Sequence, residues 1–344
     1  MELQDYRNQL DTVDDQIAGL FRQRMELVKQ VADYKKEHNT PVLAANRERD
    51  ILYRVTGLCG PELAEYTKIL YATLLELSRD YQEDRLSAGA SELCRQISAA
   101  AERGEAFPSR AVVACQGIEG AYSQIACDKI FSLPQIMYFN RFDGVFRAVE
   151  NGMCRYGILP IENSSAGSVT EVYDLIEQYN CKIVRSLKLK IDHCLLALSG
   201  VKLEDVKEVV AHEQSLNQCS EFLKNNKIKI TVFNNNAAAA KYVAESGRRD
   251  LAAIASGSCA DLYGLQAVST RIANSDHNYT RFICISKNLE IFEGASKITF
   301  VASTSHRPGS LYSLLAKFAT RGLNISKLES RPIPGKDFEF RFYF

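Results

Sequence analysis

The sequence has no net charge, no long hydrophobic run and no clustered cysteines. Its 42 basic residues balance 42 acidic residues, so the charge gives no support to binding of nucleic acid or of a membrane surface. No run approaches the roughly 18 apolar residues that a membrane span needs, and no secretory signal opens the chain. The ten cysteines are scattered, without a CxxC motif. We therefore expect a cytoplasmic protein with free thiols.

The sequence is equally poor in cofactor motifs. The five histidines are dispersed, and neither they nor the cysteines show metal-ligand spacing. No Gly-rich phosphate loop occurs, so we expect no metal and no organic cofactor. What the chain does have is length and apolar content, since 344 residues with 46% hydrophobic side chains suffice for two or three domains.

Residues 1–85 form the first predicted domain, which is wholly helical. Apolar residues alternate at 4- and 3-residue spacing along one predicted helix of about 33 residues, the pattern typical of a helix that pairs with another. This seam consists of Tyr6, Leu10, Val13, Ile17, Leu20, Leu27, Val31 and Tyr34. Such a helix is about 50 Å long, which one copy of this segment cannot cover. We therefore expect a homodimer or a higher homo-oligomer.

A cation, Arg24, occupies one position of the seam. Lys35, eleven residues further along, projects within about 20° of Arg24 around the helix axis. Further polar side chains accompany them on the next two predicted helices: Arg47, Glu48, Ser78 and Gln82. Arg7 lies about 100° away around the helix and does not easily face the same pocket, but in an antiparallel pair it could reach the partner's pocket. Several cations without a nucleophile–base pair suit a small dianion that needs orientation and charge stabilisation. The alternative is that Arg24 and Lys35 are merely solvated, or pair with Glu26 or Asp33.

The segments "VDDQIAGLFRQRMELVKQVADYK", "PVLAANRERD" and "LLELSRDYQ" resemble the all-helical chorismate mutase family in order. The resemblance implies that Arg7 of a partner chain, Arg24 and Arg47 bind the two carboxylates of chorismate. It implies that Lys35 and Gln82 contact the ether oxygen, while Glu48 takes the ring hydroxyl with help from Ser78. Many relatives carry Asp where this chain has Ala44, which leaves one substrate contact in doubt.

Residues 86–110 are a predicted linker, and residues 111–286 a predicted α/β domain. Strand-like runs such as "AVVACQG" and "LAAIASG" each lead into a helix, a pattern typical of a mainly parallel sheet. Ligands of such folds bind beyond the carboxyl ends of the strands. In "PIENSSAGSVTE" the Ser168/Glu171 spacing predicts a capping box, so this stretch would also suit an ordinary capped turn. We expect His212 to be structural rather than catalytic.

The motifs "GAYS", "PIENSSAGSV", "HEQSLNQC", "LYGLQ" and "NYTRF" resemble the prephenate dehydratase family, whose fold is two α/β lobes around a cleft. The resemblance implies that Thr280 protonates or hydrogen-bonds the leaving hydroxyl. It implies that Glu162 and Asn163 orient the ring, and that Ser123 and Gln218 hold carboxylate or hydroxyl oxygens. Ser164 belongs to the same loop and is included in the predicted site. Relatives often have Ser-Thr where this chain has Asn235-Asn236.

Residues 296–344 form a third predicted region, in which "RPGSLYSLLAKF" and "LESRP" resemble the ACT regulatory domain. That α+β, ferredoxin-like fold has the order βαββαβ, and we expect only a partial copy because the sequence ends inside a strand pattern. The resemblance implies that phenylalanine is an effector. The residues predicted to bind it are Gly309, Ser310, Leu311, Glu329, Ser330 and Arg331.

Taken together, the regions predict a two-step enzyme that converts chorismate to prephenate and then prephenate to phenylpyruvate. One alternative is a ligand-binding regulator that keeps the pockets and the helical dimerisation domain without the chemistry. Another is a dehydratase acting on arogenate.

Overall fold

The structure, a computed structural model, describes residues 2–86, 91–304, 306, 309–333, 335–336 and 339–344. The chain divides into two compact units, residues 1–95 with 298–344, and residues 96–297. No helix in the described part is both long and apolar enough to cross a membrane, and no group of three or more His, Cys, Asp or Glu there is arranged for a metal ion. All ten cysteines lie within the described ranges as free thiols.

The first unit begins with three helices, α1 (Leu3–Glu37), α2 (Ala45–Cys59) and α3 (Ala64–Leu86). The C-terminal half of α1 packs on α3, where Arg85 pairs with Asp33 at 2.9 Å and Ala32 is fully buried. Every side chain from residue 2 to 18 is exposed, and so are all eight residues of the apolar seam. The predicted long helix is therefore present, and none of the described residues buries its N-terminal half.

The same unit contains the C-terminal elements β12 (Val301–Ser303), α12 (Ser310–Thr320), β13 (Glu329–Pro332) and β14 (Phe340–Tyr343), numbered in chain order after those of the second unit. Their strands form an antiparallel sheet in the order β12-β14-β13. Lys317 of α12 pairs with Asp80 of α3 at 2.7 Å, which links this region to the helices. The β-α-β-β order agrees with the first four elements of the expected fold.

The predicted linker contains a helix, α4 (Glu92–Glu102), while its residues 87–90 lie outside the described ranges. The elements of the α/β unit follow in chain order: β1 (Arg110–Gln116), α5 (Tyr122–Ile130), β2 (Leu133–Phe139), α6 (Phe142–Glu150), β3 (Tyr156–Asn163), β4 (Gly167–Ser168), α7 (Thr170–Gln178), β5 (Lys182–Lys190), β6 (Cys194–Leu198), β7 (Glu208–Ala211), α8 (Glu213–Gln218), α9 (Ser220–Asn225), β8 (Lys229–Val232), α10 (Asn236–Ser246), β9 (Leu251–Ala255), α11 (Ser258–Tyr263), β10 (Leu265–Thr270) and β11 (Tyr279–Ser286). A 3-10 turn, Leu203–Asp205, separates β6 from β7.

These strands form two sheets, and each sheet is the centre of one lobe. The first has the order β2-β1-β3-β11-β5 with β4 beside β3, and the second has the order β10-β6-β9-β7-β8. The chain crosses between the lobes twice, after β5 and again before β11. Residues Leu251–Ala255 of β9 are all buried, which explains why the sequence of this strand is a continuous apolar run.

The prediction of a mainly parallel sheet is wrong. β1 pairs in parallel with β2 and β3, and β7 with β8 and β9, but β11 runs antiparallel to both β3 and β5, and β6 runs antiparallel to β9 and β10. The reason is that the chain returns to the first lobe from the second, so β11 enters from the opposite end. Thr280 of β11 thereby lies opposite Asn163 of β3.

Candidate active sites

The first candidate site lies where α1 meets α3. The Arg24 guanidinium donates to the Ser78 hydroxyl and, at 3.2 Å, to the Leu74 carbonyl oxygen. Ser78 is 4% exposed and Gln82, one turn further along α3, is 6% exposed. Burial lowers the pKa of Arg24, although an arginine side chain stays charged at neutral pH. The structure thus brings the half-buried Arg24 into contact with Ser78, and Gln82 bonds to the Ser78 backbone one turn along α3.

Lys35 approaches the same region from the end of α1. Its Nζ donates to the Val42 carbonyl oxygen at 2.6 Å. Burial lowers the pKa of Lys35, and the nearby Glu48 carboxylate partly offsets this. Asp33 is one of the two acids considered as a partner for Lys35. It pairs instead with Arg85.

Gln82 keeps hydrogen-bonding capacity for a ligand. Its Nε2 donates to the Ser78 carbonyl oxygen at 3.0 Å, which leaves a second N–H, and its Oε1 is buried without a partner among the described residues. A buried amide oxygen without a partner costs about 1–3 kcal/mol. Such a cost suits a side chain arranged for a bound molecule.

Glu48 has a partner that the sequence analysis missed. Arg79 Nη1 lies 2.5 and 2.6 Å from the two carboxylate oxygens of Glu48. The signal was available, because Arg79 follows Ser78 directly in the quoted "LLELSRDYQ" motif. Glu48 remains able to accept a hydrogen bond from a ring hydroxyl, since each oxygen has a further lone pair.

Arg7 and Arg47 are the two remaining residues of the predicted helical site. Both are exposed, and Arg7 lies in the half of α1 that nothing in the described chain covers. The site formed by one copy is therefore short of the cations expected for a dicarboxylate.

The second candidate site is a cavity of about 500 Å³ between the two lobes. It lies beyond the carboxyl ends of β1, β3, β7, β8 and β9, as expected for an α/β fold. The lining includes the predicted residues Ser123, Asn163, Gln218 and Thr280. Among the described residues that line it, none is Lys or Arg. Apart from the Glu171 carboxylate and two histidines, the polar groups of the lining are neutral side chains and helix dipoles.

Two helix N-termini supply such dipoles. The N-cap residues of α5 and α7, Ala121 and Val169, make no side-chain capping bond, and the first residues of both helices line the cavity. Uncapped N–H groups at a helix start carry partial positive charge and attract anions. The predicted capping box of Ser168 and Glu171 is wrong. Ser168 pairs instead with Glu162 in the short strand β4, so α7 begins two residues later.

Asn163 and Thr280 form the polar floor of the cavity. Asn163 Nδ2 donates to Thr280 Oγ1 at 2.9 Å, and both side chains are less than a tenth exposed. Asn163 Oδ1 accepts from the backbone N–H groups of Ser165 and Ala166, both at 2.9 Å. The loop after β3 therefore holds the Asn163 amide in one orientation.

Glu162 and Ser164 do not line the cavity, in contrast to their predicted roles. Glu162 lies on the opposite face of β3 and pairs with Arg281 at 2.9 Å. The Ser164 hydroxyl donates to the His277 carbonyl oxygen at 2.8 Å and accepts from the Tyr279 N–H. The alternation of side chains along a strand explains the outcome, because Asn163 and its two neighbours cannot all face one side.

A glycine in the "GAYS" motif lets the lobes meet beside the cavity. Gly120 has φ +87°, and a Cβ there would lie 2.9 Å from Cys259 Sγ and 3.0 Å from Leu262 Cδ2 of α11. The Ser256 hydroxyl donates to the Gly120 carbonyl oxygen at 3.1 Å. Any larger residue would separate the lobes at this point.

The remaining polar residues of the rim have structural partners. His212 caps α8 by accepting from the Gln214 N–H, as expected of a structural histidine. Asn235 caps α10, and Asn236 accepts from the His212 N–H and donates to Ser215 Oγ at 2.7 Å. The Asn235-Asn236 pair thus keeps the loops of the second lobe in place.

Two buried residues of the cavity region were missed. His193, 1% exposed, lines the cavity, and its Nε2 lies 2.9 Å from Gln218 Oε1. Asn278, 2% exposed, donates to the same oxygen at 2.9 Å. Asn278 lies in the quoted "NYTRF" motif, whereas a lone histidine after a strand carries no distinguishing signal.

The residues predicted to bind phenylalanine lie on two elements of the C-terminal region. Gly309, with φ +86°, is the N-cap of α12, and Ser310 and Leu311 begin that helix. Glu329, Ser330 and Arg331 lie on β13.

Comparison with known proteins covers both sites. The prephenate dehydratase family model matches residues 113–290, and the chorismate mutase type II model matches residues 6–83. The bifunctional chorismate mutase/prephenate dehydratase of Enterobacter agglomerans is 31% identical over 98% of this chain and 86% of that protein. Arogenate dehydratase 2 of Petunia hybrida is 40% identical over 65% of this chain.

The chain spans only 58% of the length of that arogenate dehydratase. Among solved structures, the prephenate dehydratase of Arthrobacter aurescens in complex with L-Phe is 25% identical with a TM-score of 0.61. It covers 67% of this chain and 78% of that one.

Proposed function

Because the chain belongs to the bifunctional chorismate mutase/prephenate dehydratase family, we propose that it catalyses both reactions. Chorismate rearranges to prephenate in the helical domain, and prephenate becomes phenylpyruvate in the cavity between the two lobes. The observation that carries the proposal is the presence of both residue sets, Arg24 with Ser78 and Gln82, and Asn163 with Thr280. Buried free thiols suit a reducing compartment, so the proposal places the enzyme in the cytoplasm.

The mutase step needs no proton transfer. The ether C–O bond of chorismate breaks while a C–C bond forms, and negative charge grows on the ether oxygen. Lys35 Nζ and the free N–H of Gln82 are the donors proposed for that oxygen, and Arg24 binds a carboxylate. Donors already in position lower the barrier because they need not reorganise during the reaction.

We propose that a second copy of the chain completes this site. The support is the exposed seam of α1 and the position of Arg7 in its uncovered half. In an antiparallel pair, Arg7 of each copy would reach the pocket of the other and supply the missing cation.

Complementation tests the shared site. Arg7→Ala and Arg24→Ala chains, each with its own tag and each inactive as a mutase alone, are to be co-expressed. If Arg7 serves the partner's site, half of the dimers are mixed and contain one intact site of two. About a quarter of wild-type mutase activity should therefore return.

The matched control combines Arg24→Ala with Lys35→Ala. Both residues belong to the same chain's site, so no mixed dimer contains an intact site and no activity should return. The shared site would be contradicted if no mixed dimers carrying both tags formed. It would also be contradicted if mutase activity recovered equally in the two mixtures.

The dehydratase step removes carbon dioxide and water from prephenate. The C–COO⁻ bond breaks, its electron pair moves through the ring, and the ring C–OH bond breaks as the hydroxyl leaves. Hydroxide is a poor leaving group, so the departing oxygen needs a proton donor. We assign to Thr280 the hydroxyl that hydrogen-bonds or protonates this oxygen, because its Oγ1 accepts from Asn163 and its own O–H is left for the cavity. A proton from solvent completes the departing water and restores the Thr280 hydroxyl.

The carboxylates of prephenate are assigned to the neutral donors of the cavity. Ser123 lies in the first turn of α5 and Gln218 at the end of α8, both in the lining. The N-terminus of α5 supplies part of the electrostatic attraction that lysine or arginine would supply elsewhere, whereas α7 carries the Glu171 carboxylate in its first turn.

We propose that the C-terminal region is an ACT-like regulatory domain whose effector is phenylalanine. The β-α-β-β order of the region and its "GSL" and "ESRP" motifs support this. A related dehydratase has been solved with L-Phe. Gly309, Ser310, Leu311 and the β13 residues Glu329, Ser330 and Arg331 are the residues proposed to form the site.

Arogenate is the alternative substrate of the dehydratase domain, favoured by the 40% identity to an arogenate dehydratase. A mutase domain on the same chain favours prephenate, because prephenate is that domain's product. The two substrates differ in one group, a side-chain keto group in prephenate and an amino group in arogenate.

Supplying the purified full chain with chorismate alone tests both activities. We expect prephenate to appear first and phenylpyruvate to accumulate, with parallel incubations on prephenate and arogenate to compare kcat/KM. Prephenate that persists would contradict the dehydratase assignment. Chorismate that persists would contradict the mutase assignment and favour a ligand-binding regulator.

A further inference from the structure

A buried chain of polar side chains links the two lobes at the dehydratase cavity. His193 lies in the connection from β5 to β6, and Asn278 lies in the connection from β10 to β11. Gln218 ends α8 in the second lobe, while Asn163 and Thr280 belong to the first. Four of the five are less than a tenth exposed, so their hydrogen bonds are not shared with bulk water.

The direction of each hydrogen bond in this chain follows from two backbone donors. The N–H groups of Ser165 and Ala166 both lie 2.9 Å from the side-chain oxygen of Asn163. A backbone N–H can only donate, so the atom facing it has to be the amide oxygen. Asn163 Nδ2 therefore faces the other way, towards Thr280 and Asn278.

The next two directions follow from the first. Asn163 Nδ2 lies 2.9 Å from Thr280 Oγ1 and 2.9 Å from Asn278 Oδ1, and an amide nitrogen does not accept. Thr280 is therefore an acceptor here, which leaves its own proton free. Asn278 Nδ2 then donates to Gln218 Oε1 at 2.9 Å.

The direction of the last hydrogen bond determines the tautomer of His193. Gln218 Oε1 is an acceptor, so His193 Nε2, 2.9 Å away, carries the proton. The neutral ring then has an unprotonated Nδ1, which is buried without a partner among the described residues. Burial lowers the pKa of His193, which keeps the ring neutral.

We propose that His193, as the neutral Nε2–H tautomer, is a positioning residue for dehydration. Together with Asn278 it holds the Gln218 amide so that Nε2, which lies 3.5 Å from Asn163 Oδ1, keeps an N–H for a substrate oxygen in the cavity. It acts through Gln218 and needs no contact with the substrate. The inference rests on the proposed dehydratase function.

Loss of the histidine donor has a definite consequence. Gln218 Oε1 would keep a single donor, Asn278 at 2.9 Å, and the amide would otherwise be held only by the 3.5 Å contact of its Nε2 with Asn163 Oδ1. Gln218 Nε2 would then be held less firmly in position to donate to a substrate carboxylate or keto oxygen. The loss of one well-placed neutral hydrogen bond in a buried site corresponds to about a 10- to 100-fold effect.

Two substitutions separate this role from simple packing. His193→Leu removes the donor, and we expect phenylpyruvate formation from prephenate to fall about 10- to 100-fold in kcat/KM. His193→Gln places an amide N–H near the position of Nε2, and we expect it to recover most of the loss. Mutase activity of the same samples should equal wild type, which shows that the chain is folded. Equal losses in the two variants would overturn the proposal.

A double-mutant cycle tests whether the effect passes through Gln218. If it does, His193→Leu combined with Gln218→Leu should lose no more dehydratase activity than Gln218→Leu alone. Multiplied losses would show that His193 acts independently of Gln218, and the proposal would be wrong.

Nitrogen NMR of ¹⁵N-histidine-labelled wild-type protein reads the tautomer directly. We expect one buried histidine, absent from the His193→Gln spectrum, with protonated Nε2 and unprotonated Nδ1. A protonated Nδ1 would overturn the proposal. This measurement does not depend on turnover, so wild-type protein without dehydratase activity would refute the proposed function separately.

Discussion

Replacement of Thr280 by Val is expected to reduce phenylpyruvate formation by about 10²- to 10⁴-fold, the range for removal of a proton donor. Valine has the shape of threonine, so the buried position opposite Asn163 stays filled. The change removes the O–H that the Asn163 hydrogen bond leaves free for the cavity. Rates of phenylpyruvate appearance from supplied prephenate measure the effect, and chorismate consumption should remain at the wild-type rate.

Two further variants sharpen this result. Thr280→Ser keeps a hydroxyl and should retain more activity than Thr280→Val. Thr270→Val makes the same change at the exposed end of β10, in the other lobe, and should leave both activities unchanged. A Thr280→Val rate near that of wild type would remove Thr280 from the mechanism.

The reverse result is expected for Lys35. Lys35→Ala removes a cation placed for the ether oxygen of chorismate, and we expect mutase kcat to fall by about 10²- to 10³-fold. Dehydratase activity with supplied prephenate should be unchanged, because that cavity belongs to a different compact unit. Prephenate formation from chorismate measures the loss.

The neighbouring lysine provides the matched control. Lys36 is exposed, and Lys36→Ala changes the net charge by the same amount without touching the site. It should retain wild-type mutase activity. Similar losses in the two variants would mean that general charge on α1, rather than the position of Lys35, supports the reaction.

The parts of the fold that the sequence predicted well are those decided by local pattern. The apolar spacing of α1 predicted both the long helix and a surface in need of cover, and the seam is indeed exposed. The two families predicted from motifs are confirmed over residues 6–83 and 113–290. Their motifs could be recognised because they occur in short, continuous stretches.

Strand pairing could not be predicted in the same way. The direction of β11 depends on a chain path that leaves one lobe and returns after about ninety residues, and no local pattern records it. The face that Glu162 occupies depends on the same pairing, which is interrupted by a register shift between Arg281 and Phe282. A motif therefore identified the loop, but not which of its residues faces the cavity.

The missed residues share a physical reason. Arg79 and His193 contact partners that are distant in sequence, Glu48 and Gln218 respectively. A buried histidine or a helical arginine is usually explained by packing or solvation, so its partner has to be seen before its role can be assigned.

The absence of Lys and Arg from the described lining of the dehydratase cavity has a consequence for the effect of ionic strength. Dissolved ions screen partly exposed charges beyond a Debye length of about 8 Å at physiological salt, but they act weakly on buried dipoles and neutral donors. In the proposed mutase site, the half-exposed Lys35 and a partner chain's exposed Arg7 would bind the dianion by such partly exposed charges. The two steps would therefore respond differently as salt rises, with production of prephenate slowing before its consumption does, so that the intermediate becomes scarcer.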